Sequence, residues 1–570
     1  MMPFKTIPPA IPLSEQTSTV RLLLSIIEQQ QLFIGQLQSQ VEQLQLLNEQ
    51  QQETLLQQQE RIGVLEAEVA RIKKLPKKPN IRPSTLPKDD DDDDGNDNNN
   101  ELDDPGKRGD DAAGKPGKSR KRKKNLIIHN TKVIEPDNLP KGSRLLGYED
   151  YTVQDLLIQP YNTRYRLARY LTPDGKRLIG VLPEALQGKH FDATLESYIL
   201  YQHHHQRVTQ PLIRQQLTEW GIDISSGKIS DILTEDNEIF HTEKDELLPA
   251  GISNSSYLNV DDTGSRHDGK NGYCTHIGNE TFAWFSSTLS KSRINFLELL
   301  RGPILDYTIS SAAIKYMRSQ KLPQAPFEAI MQSKARLFED EEAWKRHLEE
   351  LNIANKRHIR IATEGALLGT LIACGYPPDL VIISDDAGQF NVLLHALCWV
   401  HADRVFKRIV PLNDRHAKEL EWVHTQIWEI YADLKRYKRN QDPALKRAIE
   451  AHFDELCRTR TSFATLNLAL KRLAKNKKEL LLVLKRPDIP LHNNLSERDI
   501  RAYVIKRKIS GSTRSENGRR CRDTFTSLIK TCLKQKINFW DYLGDRLRKE
   551  NLLPYLPDLL SGQVCLVPGV

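Results

Sequence analysis

The sequence predicts an α/β core that is interrupted by a helical insertion and preceded by a helical region and an N-terminal coiled coil. Three observations support this prediction. A heptad repeat lies near the N-terminus, two β-type runs each end in an aspartate pair, and a wholly helical pattern follows the second of these runs. The chain of 570 residues has room for roughly three or four structural units.

Residues 16–75 are predicted to form a parallel two-stranded coiled coil. The heptad spans residues 20–72, and one seam is mostly β-branched: Val20, Ile27, Ile34, Val41, Asn48, Leu55, Ile62 and Val69. Asn48 falls on this seam, where a pair of buried asparagines fixes the register and the dimeric state. We therefore expect a homodimer through residues 20–72. The alternative is a glutamine-rich helix that packs on its own protein.

The next segment, residues 76–125, is predicted to be a disordered linker whose charge changes sign along its length. Residues 89–111 hold twelve acidic and two basic residues, so the rest of the chain carries about +17 although the formal net charge is +7. A basic body of this kind favours a polyanionic partner, most often nucleic acid. The basic cluster at residues 118–124 either contacts phosphates or balances the acidic run.

Composition argues against the membrane and secreted classes. The apolar stretches fall short of the ~18 residues that a membrane helix requires, and residues 1–15, a predicted tail, lack a signal-peptide core. The 7 cysteines are scattered and form no CxxC pair, which favours a reducing compartment over a disulfide framework or a zinc ribbon. We expect a cytoplasmic protein that makes no membrane contact.

Two smaller regions lie between the linker and the predicted core. Residues 126–190 show short strand-like runs and turn signals, and residues 191–250 are helical. The stretch from Pro211 to Leu233 has the spacing of a helix-turn-helix, which suits DNA binding and also a plain packing unit. The three histidines at 203–205 cannot share one helical face, so we expect a solvated helix end rather than a metal site.

Two aspartate pairs mark the predicted chemistry. Asp261 and Asp262 end one β-type run, and Asp385 and Asp386 end a later, continuous apolar run. Two such strands would deliver acids to the crevice where open α/β sheets bind ligands. Carboxylates this close repel one another unless a cation lies among them, and hard oxygen ligands select Mg²⁺ or Mn²⁺. The alternative is that each pair simply faces water.

A third acid follows near the C-terminus. Glu497 lies in the first turn of a predicted helix that is capped by Asn493 or Asn494, and residues 501–550 carry fourteen basic and five acidic residues. Carboxylates in basic surroundings describe a phosphodiester site, because metal activates the nucleophile and basic groups hold the strand. The candidate DNA contacts are the basic residues of this helix: Arg498, Arg501, Lys506, Arg507 and Lys508.

Taken together, these motifs resemble those of DDE transposases, and most closely the large transposase of insertion sequence family sixty-six. The matching stretches are Val-Asp-Asp-Thr, Ser-Asp-Asp-Ala-Gly-Gln-Phe, Cys-Trp-Val-His, and His-Asn-Asn-Leu-Ser-Glu-Arg with a following Lys-Arg-Lys. They occur in the family's order, and the resemblance runs from about residue 191 to residue 547.

The resemblance implies an RNase H-like core and a metal-dependent polynucleotidyl transferase. It makes Asp261, Asp385 and Glu497 the catalytic triad, holding two Mg²⁺ or Mn²⁺ ions per site, with Asp262 and Asp386 as register alternatives. The implied reaction on double-stranded DNA is hydrolysis at transposon ends followed by strand transfer into target DNA. Small accessory proteins are implied as further partners.

The implied core consists of residues 251–404 and 486–555. The wholly helical residues 405–485 are inserted between the second and third acids, and residues 556–570 are a predicted tail.

The sequence departs from the family pattern at several points. Asp262 stands where the family has Glu, Asp386 where it has Gly, and His492 where it has Asp. Residues 126–190 contain no cysteine, so the family's zinc-finger segment is missing.

Cys398 and His401 have the spacing of metal ligands, but only two ligands are visible, so we predict structural roles near the site. The same prediction applies to Arg404, Asn493 and Asn494.

Two other functions remain open on the sequence. A structure-selective nuclease with an RNase H-like fold needs the same acids but no strand transfer, and a dimeric DNA-binding protein could use an inactive transposase core. Three intact acids in matching motifs favour an active enzyme.

Overall fold

The structure is a computed structural model that describes residues 127–136, 140, 143–183 and 186–562. The predicted coiled coil and the linker lie outside the described residues. Contacts divide the described chain into two compact units, one formed by residues 396–492 and the other by the remainder. No helix among the described residues is long and apolar enough to cross a membrane.

Residues 143–183 contain little regular structure. β1 (Arg169–Leu171) and β2 (Arg177–Ile179) pair as a short antiparallel hairpin, and their residues are all exposed. The Arg-Tyr-Arg-Leu run at 164–167 is strand-like in sequence but belongs to no strand. Strands need a buried apolar face for stability, and these short runs have none, which explains why the strand-rich pattern produces only one hairpin here.

Helices follow the hairpin: α1 (Ala193–Leu200), a π-helical turn (Tyr201–His205), α2 (Gln210–Glu219), α3 (Ser226–Thr234) and α4 (Glu238–Ser253). α3 begins where Ser225 accepts a hydrogen bond from the Lys228 N–H at 3.1 Å. Between α2 and α3 the chain turns at Gly221, whose φ of +81° favours glycine. The helix, turn and helix are therefore present, and DNA binding by them stays a prediction.

A five-stranded mixed sheet forms the centre of the larger unit. In chain order the strands are β3 (Tyr257–His267), β4 (Lys270–Gly278), β5 (Ala283–Thr288), a separate pair β6 (Tyr307–Thr308) and β7 (Leu337–Phe338), then β8 (Val381–Ser384) and β9 (Leu394–Leu397). The order in the sheet is β5-β4-β3-β8-β9. β3, β4 and β5 form an antiparallel meander, as three successive β-type runs with short turns predict, and β8 runs parallel to β3. Leu258, Val260 and Ile382 are fully buried, as strands covered on their faces require.

Five helices connect β5 to β8: α5 (Arg293–Arg301), α6 (Ser311–Ser319), α7 (Gln324–Gln332), α8 (Glu341–Glu350) and α9 (Lys356–Ala373). α9 packs against α5, α6 and β6. Gly369 permits this packing, because a Cβ there would lie 2.0 Å from the carbonyl oxygen of Thr308.

Residues 396–492 form the smaller unit, which is helical after the end of β9. Its helices are α10 (Trp399–Lys407), α11 (Asp414–Arg439), α12 (Pro443–Arg458), α13 (Ala464–Lys475) and α14 (Lys477–Leu480), followed by a 3-10 turn (Leu482–Leu484). Ile430, Ile449 and Phe453 are fully buried between these helices. The indole N–H of Trp399 donates to the Leu480 carbonyl at 2.9 Å, which satisfies its polar atom inside the core.

Four helices complete the larger unit: α15 (Asn494–Ser510), α16 (Glu516–Lys534), α17 (Phe539–Arg548) and α18 (Leu556–Ser561). α16 covers the edge of β5. The backbone N–H groups of Ala283, Phe285 and Ser287 donate to polar side chains of α16 at 2.7–3.2 Å. An edge strand otherwise presents unpaired donors, so α16 closes this side of the sheet.

α18 corrects the prediction that residues 556–570 are a tail. Leu556 is fully buried, and the Asn254 side chain donates to the Leu560 carbonyl at 2.7 Å. The apolar residues of α18 pack against α4, so residues 556–561 are part of the core, while residues 563–570 lie outside the described part of the chain.

Candidate active site

β3 places the first aspartate pair beside the second. In the parallel pairing of β3 with β8, Asn259 is the partner of Ile383. Continuing this row by two residues aligns Asp261 with Asp385. Since side chains alternate along a strand, Asn259 and Asp261 point to the same face of the sheet, and Asp262 points to the other.

The second aspartate pair lies directly after β8. The Ala387 N–H donates to Asp385 Oδ1 at 3.0 Å, which fixes this carboxylate at the strand end. The two aspartates have different surroundings. Asp385 interacts electrostatically with Asp261 and Asp262, whereas Asp386 acts on His395, a histidine that burial holds at a pKa of about 4.

Asn493 attaches the start of α15 to β3. Its side chain is fully buried, donates to the Val260 carbonyl at 2.8 Å, and accepts from Asn259 Nδ2 at 2.8 Å. The predicted capping role of Asn493 is therefore wrong in one respect, because its side chain bonds the sheet and makes no cap hydrogen bond. Glu497 follows one turn later, on the side of α15 that carries Asn493.

The electrostatics of Asp261 report the convergence of the three predicted acids. Burial raises the pKa of Asp261 to about 7, and the charges of Asp385, Asp262 and Glu497 add to this rise. The Asp262 N–H opposes it by donating to Asp261 Oδ1 at 2.8 Å. The hydrogen bond from the Asp262 N–H therefore does not offset the combined effect of burial and the neighbouring negative charges on Asp261.

Asp262 has a better compensated environment. Burial also raises the pKa of Asp262, but the charge of Lys291 and a hydrogen bond from Gln389 Nε2 at 2.7 Å oppose the rise. Within this pair Asp261 therefore has the greater need of a cation.

The donor set fits a divalent cation in its chemistry, because carboxylate oxygens are the ligands that Mg²⁺ and Mn²⁺ prefer. Among the described residues, however, no group of three His, Cys, Asp or Glu side chains is arranged to hold a metal ion. The three acids are near enough to interact, and a coordination sphere is not formed in this geometry.

Sequence reasoning missed a buried polar network behind the acids. His276 on β4 is the cross-strand partner of Asp261. Its Nδ1 lies 2.5 Å from Ser496 Oγ, and its Nε2 lies 3.3 Å from Asp499 Oδ2. Asp499 in turn contacts Lys534 Nζ at 2.9 Å. Ser496 and Asp499 lie three residues apart on α15 and so share one face of the helix, and this spacing was the signal available in the sequence. Nothing in the sequence around His276 indicates that this histidine is their partner.

The basic residues of α15 fall into distinct environments. Arg498, Arg501 and Lys508 are exposed. Arg507 is half-buried, and its Nη1 donates to Thr263 Oγ1 at 3.3 Å. Lys506 is only 5% exposed, so it differs from the basic residues of α15 that lie on the surface.

The Cys398 motif lies in the unit of residues 396–492. Cys398 is buried at the start of α10, and Arg404 Nη1 lies 3.0 Å from His401 Nε2. Their predicted nearness to the acids stays a prediction. Asn494 is the first residue of α15 and is half-buried.

The fold and the site together define an α/β protein with three interacting carboxylates. Residues 378–520 match the model of the family described as Transposase IS66 family. The chain is also 43% identical over 303 residues to the uncharacterized protein y4jO of Sinorhizobium fredii (strain NBRC 101917 / NGR234), a match that covers 53% of this chain and 94% of that protein. The chain belongs to the IS66 family of transposases, which confirms the resemblance and makes it a member of a family of DNA-processing enzymes.

Proposed function

We propose that this protein is a DDE-type DNA transposase that hydrolyses phosphodiester bonds at transposon ends and transfers the ends into target DNA. The observation that carries the proposal is that the charges of Asp385 and Glu497 both act on Asp261, although the three acids originate after β8, on α15 and on β3 respectively. Family membership supports it, since the matched segment contains two of the three acids.

The strand arrangement supports an RNase H-like core. Three antiparallel strands are followed by a parallel neighbour, in the order β5-β4-β3-β8-β9, and the third acid arrives on a helix that packs on the same sheet. This arrangement delivers acids from separate chain segments to one place, as a phosphodiester site requires.

Asp261, Asp385 and Glu497 would hold Mg²⁺ or Mn²⁺, two ions per site, and the metal would activate the attacking oxygen and stabilise the leaving oxygen. The chain's own groups prepare this site. Partial burial of Asp261 raises the pKa of its carboxyl group, and the Asn259–Asn493 contact holds α15, and with it Glu497, at a fixed position along β3. Arg498 and Arg501 are exposed one and four residues beyond Glu497, where they would neutralise strand phosphates.

The remaining parts of the proposal concern assembly. α2 and α3 would contact duplex DNA as a helix-turn-helix, and residues 20–72 would pair two protomers so that two transposon ends meet two active sites. Small accessory proteins would complete the assembly. Light scattering on the full chain tests the dimer, and a monomer at micromolar concentration would contradict it.

The proposal is tested with a labelled duplex that carries the element's own end, incubated with Mg²⁺. Wild type is expected to nick and join the duplex, while Glu497→Gln binds it without cleaving, because glutamine keeps the shape and removes the charge. Glu349→Gln, an exposed glutamate on α8, is the matched control and is expected to behave as wild type. Cleavage by Glu497→Gln at the wild-type rate would remove Glu497 from the site.

The same assay separates the alternatives. Nicking without joining would favour a structure-selective nuclease on the same acids. Binding without any cleavage by wild type would favour a DNA-binding protein on an inactive core.

A further inference from the structure

A cavity of about 200 Å³ lies between the π-helical turn, α15 and α16. Its ionisable lining is entirely basic: His204, His205, Arg207, Lys506, Arg522 and Lys530. None of the described residues that line it is acidic. The volume is several times the ~30 Å³ that one water occupies in the liquid, so a small hydrated group fits.

Two of these cations are buried. Lys506 is 5% and Arg522 7% exposed, and each donates to a backbone carbonyl, that of His203 and that of Gly511 respectively. Burial lowers the pKa of Lys506 to about 7, and the charges of Arg522 and Arg207 add to this effect. Like charges that are removed from water in this way are unfavourable unless an anion joins them.

Lys530 differs from the other cations, because Asp499 Oδ1 lies 3.5 Å from its Nζ and balances its charge. The positive charge that remains at the cavity is therefore that of Lys506, Arg522 and Arg207.

The π-helical turn adds a local feature that points to a ligand. The Nε2 atom of His204 is buried and has no hydrogen-bond partner among the described residues, while its ring stacks on Phe525 at 4.2 Å between centroids. The predicted solvated helix end at the three histidines is wrong, because α16 and α17 pack against this turn and Lys506 of α15 donates to the His203 carbonyl.

We propose that this cavity binds a phosphate group. Arginine and lysine are the side chains that recognise phosphate oxygens, and Lys506, Arg207 and Arg522 supply both types at this cavity. Lys506 lies nine residues after Glu497, which is about two and a half helical turns, so the two side chains leave opposite faces of α15 about 14 Å apart along its axis. The cavity is thus a second site, and the proposal does not depend on the catalytic one.

The phosphate can come from the backbone of bound DNA or from free inorganic phosphate, and the chemistry of recognition is the same. The test uses the full chain without Mg²⁺ or DNA. Its unfolding temperature is followed as inorganic phosphate replaces chloride at constant ionic strength. Wild type is expected to gain on the order of 2 °C at saturation, because a ligand that binds the folded state stabilises it.

Lys506→Met and Arg207→Gln remove different cations of the cavity and are each expected to abolish this gain. Lys315→Met and Arg346→Gln change exposed residues of α6 and α8 and are expected to retain it. An unchanged unfolding temperature for wild type would overturn the proposal without reference to any variant. An equal gain in wild type and in both cavity variants would also overturn it.

A second arm identifies the source of the phosphate. If a DNA phosphate occupies the cavity, a saturating duplex removes the response to free phosphate, and Lys506→Met reduces the salt dependence of duplex binding by about one ion. If free phosphate occupies it, the response persists with DNA bound and the salt dependence is unchanged. Neither result depends on cleavage, so failure here is distinct from failure of the proposed function.

Discussion

The two ends of α15 lie beside groups of opposite charge, and at both ends burial disfavours the charged form. Near its start, burial and neighbouring acids raise the pKa of Asp261 to about 7, and near its end, burial and neighbouring cations lower the pKa of Lys506 to about 7. Between them Asp499 behaves differently. Although burial opposes it, the contacts with His276, Lys534 and Lys530 hold its pKa below the usual range.

The three groups show how a charge that the fold itself balances differs from a charge that requires a ligand. Asp499 is buried like Lys506, and Asp261 is partly buried, but oppositely charged partners within the fold stabilise Asp499. Asp261 and Lys506 are surrounded mainly by charges of their own sign. Perturbed groups of this kind concentrate at functional sites.

The largest effect on the cleavage rate is expected from a change at the acidic end of α15. Asp261→Asn should lower the rate of end cleavage by at least about 10²-fold, because even a residue that only supports a metal ligand typically contributes 10–100-fold. Asp268→Asn is the matched control, since this exposed turn residue has a φ of +44° that asparagine also tolerates. Single-turnover cleavage measures both, and a rate for Asp261→Asn within a few-fold of wild type would exclude Asp261 from the site.

The attachment of α15 to β3 gives the next effect. Asn493→Ala leaves the Asn259 amide and the Val260 carbonyl buried without their partner, so we expect a loss of about 1–3 kcal/mol in the free energy of unfolding. Cleavage should fall by roughly 10-fold or more, because Glu497 loses its fixed position. Urea unfolding measured with single-turnover cleavage checks both. A stability loss that leaves the cleavage rate unchanged would mean that Asn493 supports the fold alone.

The pH dependence of stability tests the shifted pKa values of Asp261 and Lys506. Asp261 binds a proton more tightly in the folded chain, so the stability of wild type relative to Asp261→Asn should fall as pH rises from about 4 to about 7. Lys506 binds its proton less tightly when folded, so stability relative to Lys506→Met should rise as pH increases from about 7 to about 10.

Each difference should be on the order of 1–3 kcal/mol in urea unfolding without divalent cations or phosphate. Two flat difference curves would show that both groups are well solvated.

The smallest effect distinguishes the members of the second pair. Asp385→Asn should lower the cleavage rate by at least about 10²-fold, as Asp261→Asn does, whereas Asp386→Asn should lower the rate by less than about 10-fold, equivalent to ~1.4 kcal/mol. The reason is that Asp386 acts on His395 and Asp385 acts on the acids of β3. Single-turnover assays of both variants test this prediction. A larger loss for Asp386→Asn than for Asp385→Asn would assign the catalytic role to Asp386.

The sequence allowed the acids and their strands to be predicted because both signals are local. An apolar run that ends in Asp385, and a motif that carries Asn493 and Glu497, can be read without knowing what packs against them. The meander was predictable for the same reason, since three β-type runs with short turns can pair only with their neighbours.

The remaining features depend on contacts between distant parts of the chain. Lysine is a residue type that normally lies on the surface, but the π-helical turn and α16 bury Lys506. Asn493 has the position of a cap and instead bonds β3, more than 230 positions away in sequence. His276 has no local signature, because its role comes from the register of β4 against β3 and the side of α15 that faces it.

The tip of the β3–β4 hairpin is bonded to the segment that follows α15. The Asp268 N–H donates to the Thr513 carbonyl at 2.8 Å, and the Thr513 N–H donates to the Arg266 carbonyl at 3.2 Å. Together with Asn493 at the other end, these bonds hold α15 to the same hairpin twice. Neither element can open without releasing the other, so their amides should exchange with deuterium as one cooperative unit with a shared opening free energy.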